Sequence, residues 1–238
     1  MGAKIRIYKI LPICKGLENW GPLHEELLAE IAHDGVEVVQ VDLPDVPITS
    51  ISSSYEADIV APAHTQAAVR GEAEGFDAVI MGCLLEPGVS AAKELLRIPV
   101  VGDTGAAIHL ASLVALKFSF VLPGTKPGKG DRALSDIVRR YGFANHVASI
   151  RRVAAPTLAF ARQEAGLAEV MVNEAKLAIE EDRAQAIIGY GGLDIIRELR
   201  SALPVPVVSA IQATVLVAEA LARARLAQSK IAFAEPTK

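Results

Sequence analysis

Asp77-Ala-Val-Ile-Met-Gly-Cys83, running on to Arg97-Ile-Pro-Val-Val-Gly102, is echoed later in the chain by Ala184-Gln-Ala-Ile-Ile-Gly-Tyr190, running on to Pro204-Val-Pro-Val-Val-Ser209. Gly82 and Gly189, Cys83 and Tyr190, and Pro99 and Pro206 are each 107 positions apart. Each copy reads as a buried strand, a tight Gly-containing turn, a helix and a second apolar strand opened by proline. A unit this long already buries a sheet face between helices, so it is not a solenoid repeat. Two such copies in one chain predict two lobes facing each other across a pseudo-two-fold axis. Cys83 and Tyr190, just past corresponding strand ends, would then look at each other over a shared cleft.

Working outward, residues 5–11 alternate and stop at Pro12, which predicts a strand running into a loop. Helix-spaced apolar residues over 22–32 precede a strand over 36–41. The stretch 44–62 is rich in Pro, Ser and Thr and predicts a long functional loop. A helix is expected over 64–74, then the first repeated strand, a helix over 88–96, the strand at 99–102 and a helix over 105–116. The strand at 118–121 opens the second half with another echo, because Ile10-Leu11-Pro12 and Lys15 lie 111 positions before Val121-Leu122-Pro123 and Lys126. The Gly/Pro/Lys tract 124–130 reads as a turn or mobile loop, since it lacks the Gly-Lys-Ser/Thr ending of a phosphate-binding loop. A helix over 132–141, a strand over 146–153, a long helix over 158–181, the repeated strand, a helix over 194–202, the strand at 206–208 and a helix over 210–227 complete the chain. This alternation predicts an α/β protein of two pseudo-symmetric lobes, each a mostly parallel sheet flanked by helices, with the active site in the cleft between them. The lobes are expected at residues 1–116 with 210–238, and at 117–209.

With 238 residues, 51% of them hydrophobic, the chain buries a sizeable core. A net charge of -4 leaves no basic surface for nucleic acid. No apolar stretch suits a bilayer, and the opening Met1-Gly-Ala-Lys-Ile-Arg-Ile reads as a strand rather than a signal segment, so a soluble cytoplasmic protein is expected. The two cysteines, Cys14 and Cys83, lack metal-ligand spacing, and neither a disulfide nor a metal or organic cofactor is expected.

Taken in order, Gly71-Glu-Ala-Glu-Gly-Phe-Asp-Ala-Val-Ile-Met-Gly-Cys83, Glu86-Pro-Gly88, Ala91-Ala92, Pro99-Val-Val-Gly102, His109-Leu-Ala-Ser-Leu113, Ala218-Glu-Ala-Leu221 and Ser229-Lys230 resemble the aspartate/glutamate/hydantoin racemase superfamily, in its hydantoin and allantoin racemase branch. The resemblance covers nearly the whole chain. It implies a cofactor-independent isomerase, a homo-oligomer acting on a small molecule, with one thiol from each lobe flanking an acidic carbon. One thiolate removes a proton and the opposite thiol returns one to the other face, because inversion needs an acid and a base on opposite sides. Cys83 matches the first thiol, and Tyr190 stands at the second. The anchoring turn of that branch, similar to Asn-Pro-Asn, here reads Leu11-Pro12-Ile13-Cys14, and the hydroxyl residues after the second-half strand are replaced by Leu122 and Pro123.

Cys83 is the expected base, with thiolate character lent by nearby backbone dipoles, and Tyr190 is a proton donor or a space-filling ring. Cys14 is either a displaced second thiol or an incidental loop residue. Substrate contacts are expected from Pro12, Ile13, Cys14, Ser50, Tyr55, Leu84, Thr104, Pro123, Thr125, Gly191 and Gly192. Asp103 is a further contact or support, His64 opens a helix near the loop, and His109 is a core residue. A single-thiol decarboxylase or cis-trans isomerase, similar to arylmalonate decarboxylase or maleate isomerase, is the alternative to a racemase. A non-catalytic ligand-binding protein is the third reading.

Overall fold

The computed structural model describes residues 4–124 and 128–237. They fall into two compact units, one built from the chain up to Gly21, Ala29–Asp103 and the chain from Thr214, the other from Pro22–Leu28 and Thr104–Ala213.

The first unit contains β1 (Ile5–Leu11), the start of α1 (Gly16–Ala29), whose stretch Pro22–Leu28 belongs to the second unit, β2 (Val36–Asp42), α2 (Ser54–Ala73), β3 (Ala78–Met81), α3 (Val89–Leu95) and β4 (Val100–Gly102). Its sheet runs in the order β2-β1-β3-β4 with every pair parallel. β3 is buried at all four residues, as a central strand covered on both faces requires. α2 packs on β1 and β3, and Tyr8, Ile10, Val60, Val79, Met81, Val89 and Leu96 share one apolar core.

The second unit follows with α4 (Asp103–Val114), β5 (Phe118–Gly124), β6 (Gly128–Lys129), α5 (Arg132–Arg140), β7 (Val147–Ala154), α6 (Thr157–Ala161), α7 (Leu167–Glu180), β8 (Ile187–Gly189), α8 (Leu193–Ala202), β9 (Val207–Ser209) and α9 (Ala210–Arg223), which returns the chain to the first unit. Its sheet order is β6-β7-β5-β8-β9, parallel except for the short edge strand β6. Without β6 this is the first sheet's order again, with β5 in the place of β1 and β8 in that of β3. The protein is thus α/β, with two mostly parallel sheets flanked by helices. No helix among the described residues is long and apolar enough to cross a membrane.

Several elements differ from the sequence reading. Residues 54–62 are helix rather than loop, because Ser53 caps α2 by accepting the Glu56 N–H at 3.3 Å while the Glu56 carboxylate accepts from Ser52 N (2.7 Å) and Ser53 Oγ (3.0 Å). His64 therefore lies within a helix instead of opening one. α1 begins at Gly16 and contains Pro22. The helix expected over 158–181 is two, broken where Gln163 (φ 51°) and Gly166 (φ 85°) turn left-handed. β5 continues to Gly124 through Pro123, since the Ser119 N–H points toward β8 and Pro123, two pleats on, faces that side beyond β8's last partner, Val121. In the tract 124–130, Gly128 and Lys129 pair with β7, and residues 125–127 lie outside the described residues.

Candidate active site

The end of β3 is where the first unit departs from ordinary backbone. The Gly82 N–H donates to Ile10 O at 3.0 Å, and a Cβ at Gly82 would lie 2.7 Å from that oxygen, so glycine alone lets β3 finish this close to β1. Cys83 follows with φ 106°, a conformation rare for any residue with a side chain. Its N–H donates to Asp103 Oδ2 at 2.8 Å, its carbonyl accepts from Glu86 N at 2.9 Å, and its Sγ accepts from Leu85 N at 3.4 Å. Glu86 (φ 48°) and Gly88 (φ 76°) complete the turn into α3. His64 on α2 braces it, with Nδ1 bonded to Pro87 O at 2.9 Å; burial pulls its pKa down to about 3, so the ring is neutral.

Two carboxylates and one amine lie buried around this turn. Asp103 is 2% exposed, Glu86 6% and Lys9, in the middle of β1, fully buried. Burial pushes the half-buried Cys83 thiol up to about 12; the Leu85 and Glu86 N–H groups work against this, and the Asp103 and Glu86 carboxylates add to it. The thiolate character expected from backbone dipoles is outweighed, and Cys83 is a thiol at neutral pH. Burial lowers the Lys9 pKa against the attraction of Asp103, and raises that of Asp103 against the attraction of Lys9 and the hydrogen bond from Cys83.

In the second unit, half-buried Tyr190 follows β8 as Cys83 follows β3. Gly191 and Gly192 lead into α8, and the space their missing side chains leave is bordered by Ile195 at 2.9 Å and the Asp194 carboxylate at 2.9 Å.

The other sequence-predicted residues are spread over both units. Pro12 and Ile13 are buried just beyond β1, and half-buried Cys14 donates its N–H to Ile48 O at 2.7 Å while packing on the first unit's core. Leu84 is half-buried beside Cys83, and Ser50 is half-buried ahead of α2. Tyr55, in the first turn of α2, is 74% exposed. Thr104 is fully buried in the first turn of α4, Pro123 is buried in β5, and Thr125 lies outside the described residues. His109 is exposed on α4 against Tyr141 and Phe143 rather than in the core, with Nδ1 bonded to Gly105 O at 2.6 Å. The sequence reading gave no role to Lys9 or Glu86. A lysine inside the apolar run Ile7-Tyr-Lys-Ile-Leu11 was the available signal for the first.

A family model described as Asp/Glu/Hydantoin racemase matches residues 22–218. The hydantoin racemase of Pseudomonas sp. (strain NS671) is 34% identical over 216 residues, covering 89% of this chain and 81% of that protein. Allantoin racemase from Pseudomonas fluorescens superposes with a TM-score of 0.85 at 28% identity, over 98% of each chain. An arylmalonate decarboxylase variant shares the fold at a TM-score of 0.63 and 17% identity, over 92% of this chain and 93% of that one.

Proposed function

The chain belongs to the Asp/Glu/Hydantoin racemase family, and from that premise we propose that it is a cofactor-independent racemase or epimerase of the hydantoin racemase type. It acts on a small hydantoin- or amino-acid-like molecule at a carbon next to a carbonyl. Each of two lobes, residues 1–116 with 210–238 and residues 117–209, supplies one group, Cys83 for one face of that carbon and Tyr190 for the other. The observation that supports this most is the left-handed Cys83 at the end of β3, whose N–H donates to Asp103, whose carbonyl accepts from Glu86 N and whose Sγ accepts from Leu85 N.

The Cys83 thiolate takes the proton from carbon, and the bond's electron pair moves onto the carbonyl oxygen as an enolate. The Tyr190 hydroxyl then gives a proton to the opposite face, leaving a phenolate and a Cys83 thiol, and these roles exchange for the other enantiomer. A thiol pushed up to about 12 gives a scarce but strong base, so turnover in the direction that uses the thiolate rises with pH. Pro12, Ile13, Cys14, Ser50, Tyr55, Leu84, Thr104, Pro123, Gly191 and Gly192 are the substrate contacts of this reading. The protein works in the cytoplasm as a homo-oligomer.

A second reading rests on the phenol at position 190, where the family resemblance implies a thiol: one-sided protonation, as in a decarboxylase or cis-trans isomerase. Incubating single enantiomers of substituted hydantoins, allantoin and amino acids in deuterated water separates the two. Deuterium uptake with loss of optical purity, abolished in Cys83→Ser, is the expected result. Uptake with retained configuration favours one-sided protonation, and binding without exchange that survives Cys83→Ala leaves only a ligand-binding protein.

A further inference from the structure

We propose that Asp103 is a positioning residue for Cys83: its carboxylate, facing the buried Lys9, grips the Cys83 N–H and fixes the left-handed backbone from which the thiol acts. Lys9 pairs with Ile80 across β1 and β3, and Ile80 with Val101 across β3 and β4, so these three share one face of the sheet. Asp103 follows two residues beyond Val101, where the chain leaves β4 for α4. Its Oδ2 lies 2.8 Å from Cys83 N. Both groups are withdrawn from water, Lys9 completely and Asp103 to 2% exposure; Lys9 Nζ and Asp103 Oδ1 have no hydrogen-bond partner among the described residues, so the two attract through space and Oδ2 is the carboxylate oxygen engaged, by Cys83.

The second unit supplies the contrast. At the offsets set by the repeat, Lys9 corresponds to Phe120 and Asp103 to Ala210, both fully buried and apolar. Tyr190, which corresponds to Cys83, has no positive φ. The buried pair and the left-handed residue therefore occur together in one unit and are absent together from the other. A strained backbone persists only where its surroundings over-determine it, and the Asp103 carboxylate is the side-chain acceptor that does so here. The same carboxylate opposes the thiolate, so Asp103 acts on Cys83 through both geometry and charge, and the two are separable by substitution.

The test uses the full-length protein and two readouts, racemisation of a single-enantiomer hydantoin and the pH profile of Cys83 alkylation by iodoacetamide followed by mass spectrometry. The kinetic readout rests on the racemase reading; the alkylation readout does not. Asp103→Ala is expected to lower kcat by about tenfold or more with KM changed less than about twofold, and to change the limiting alkylation rate at high pH by at least about threefold. Asp103→Asn keeps an acceptor for the Cys83 N–H without the charge. It is expected to restore kcat and limiting alkylation rate to within about threefold of the parent, with the alkylation midpoint moved to lower pH. Parental behaviour of Asp103→Ala, or an Asn variant as impaired as the Ala variant, overturns the proposal. Where Asp103→Ala fails to fold by circular dichroism, the Lys9→Met/Asp103→Asn double variant, which removes both charges and keeps the acceptor, decides: a folded double variant whose limiting alkylation rate departs from the parent's by more than about threefold contradicts it. A parent that racemises nothing while the alkylation pattern holds defeats the racemase reading alone.

Discussion

The two sheets share a strand order, yet the first ends its β3 in a left-handed cysteine whose N–H is held by Asp103, with Lys9 and Glu86 buried nearby in the same unit, whereas the second ends β8 in a tyrosine with Phe120, Leu193 and Ala210 at the positions matching Lys9, Glu86 and Asp103. The second unit keeps its own buried charge elsewhere. Arg151 on β7 is 3% exposed and bonded to Glu174 at 2.9 Å, Glu181 at 2.7 Å and Asp182, with Lys129 joining at 3.0 Å and 2.7 Å to the last two. One repeated architecture thus places its buried ionic groups beside the Cys83 turn in one unit and uses them to tie a strand to the end of a helix in the other. The apolar strands common to both units set the fold, and a few polar residues at strand ends set the two units apart.

The largest expected effect breaks the comparison at its reactive end. Cys83→Ser, which keeps the shape and removes the thiol, lowers kcat by about 10²–10⁴-fold in racemisation assays while the fold, read by circular dichroism, persists. Parental activity in that variant would remove the first unit's claim to the chemistry.

Arg151→Met tests the second unit's ionic cluster. It removes the guanidinium from Glu174, Glu181 and Asp182, leaving Lys129 to the last two, and is expected to cost about 3 kcal/mol in urea unfolding at neutral pH, toward the lower end for a buried pair because Glu181 is half exposed. The pH dependence has a definite sign. The hydrogen bond from Arg151 holds Asp182 well below the usual carboxylate range, so its contribution is complete above the unfolded Asp value of about 3.9 and is lost as pH falls below it. The parent should therefore lose stability in acid more steeply than Arg151→Met, and equal slopes would contradict the assignment.

A smaller effect belongs to the α2 cap. Ser53→Ala removes the oxygen that accepts the Glu56 N–H and should cost about 1 kcal/mol in the same unfolding measurement. The Glu56 carboxyl, which burial alone would raise, is held below its usual range by Ser52 and Ser53, so its stabilisation also fades as pH drops through the carboxylate range.

Much of this architecture was legible in the chain. Alternation and Pro12 mark both the faces and the end of β1, Ile5–Leu11. The repeated strands identified Cys83 and Tyr190 as corresponding positions, and the apolar runs around them fixed the parallel sheets. The start of α2 was hidden because Pro, Ser and Thr dominate residues 44–62, and the capping signal Ser53-x-x-Glu56 was masked by that composition. The break between α6 and α7 depends on a left-handed Gln163, a residue with no preference for that conformation. The electrostatics of the candidate site were not legible, because Lys9, Cys83 and Asp103 meet only once three parallel strands are in register, and no local pattern records that meeting.

The claim that two unlike groups share one carbon is tested most directly by Tyr190→Phe in deuterated water, with each enantiomer of a hydantoin substrate followed separately by mass and optical rotation. One enantiomer should exchange its proton for deuterium with retained configuration, through Cys83 alone, while the other neither exchanges nor inverts. Racemisation of both enantiomers at the parental rate would place Tyr190 outside the reaction and contradict the account.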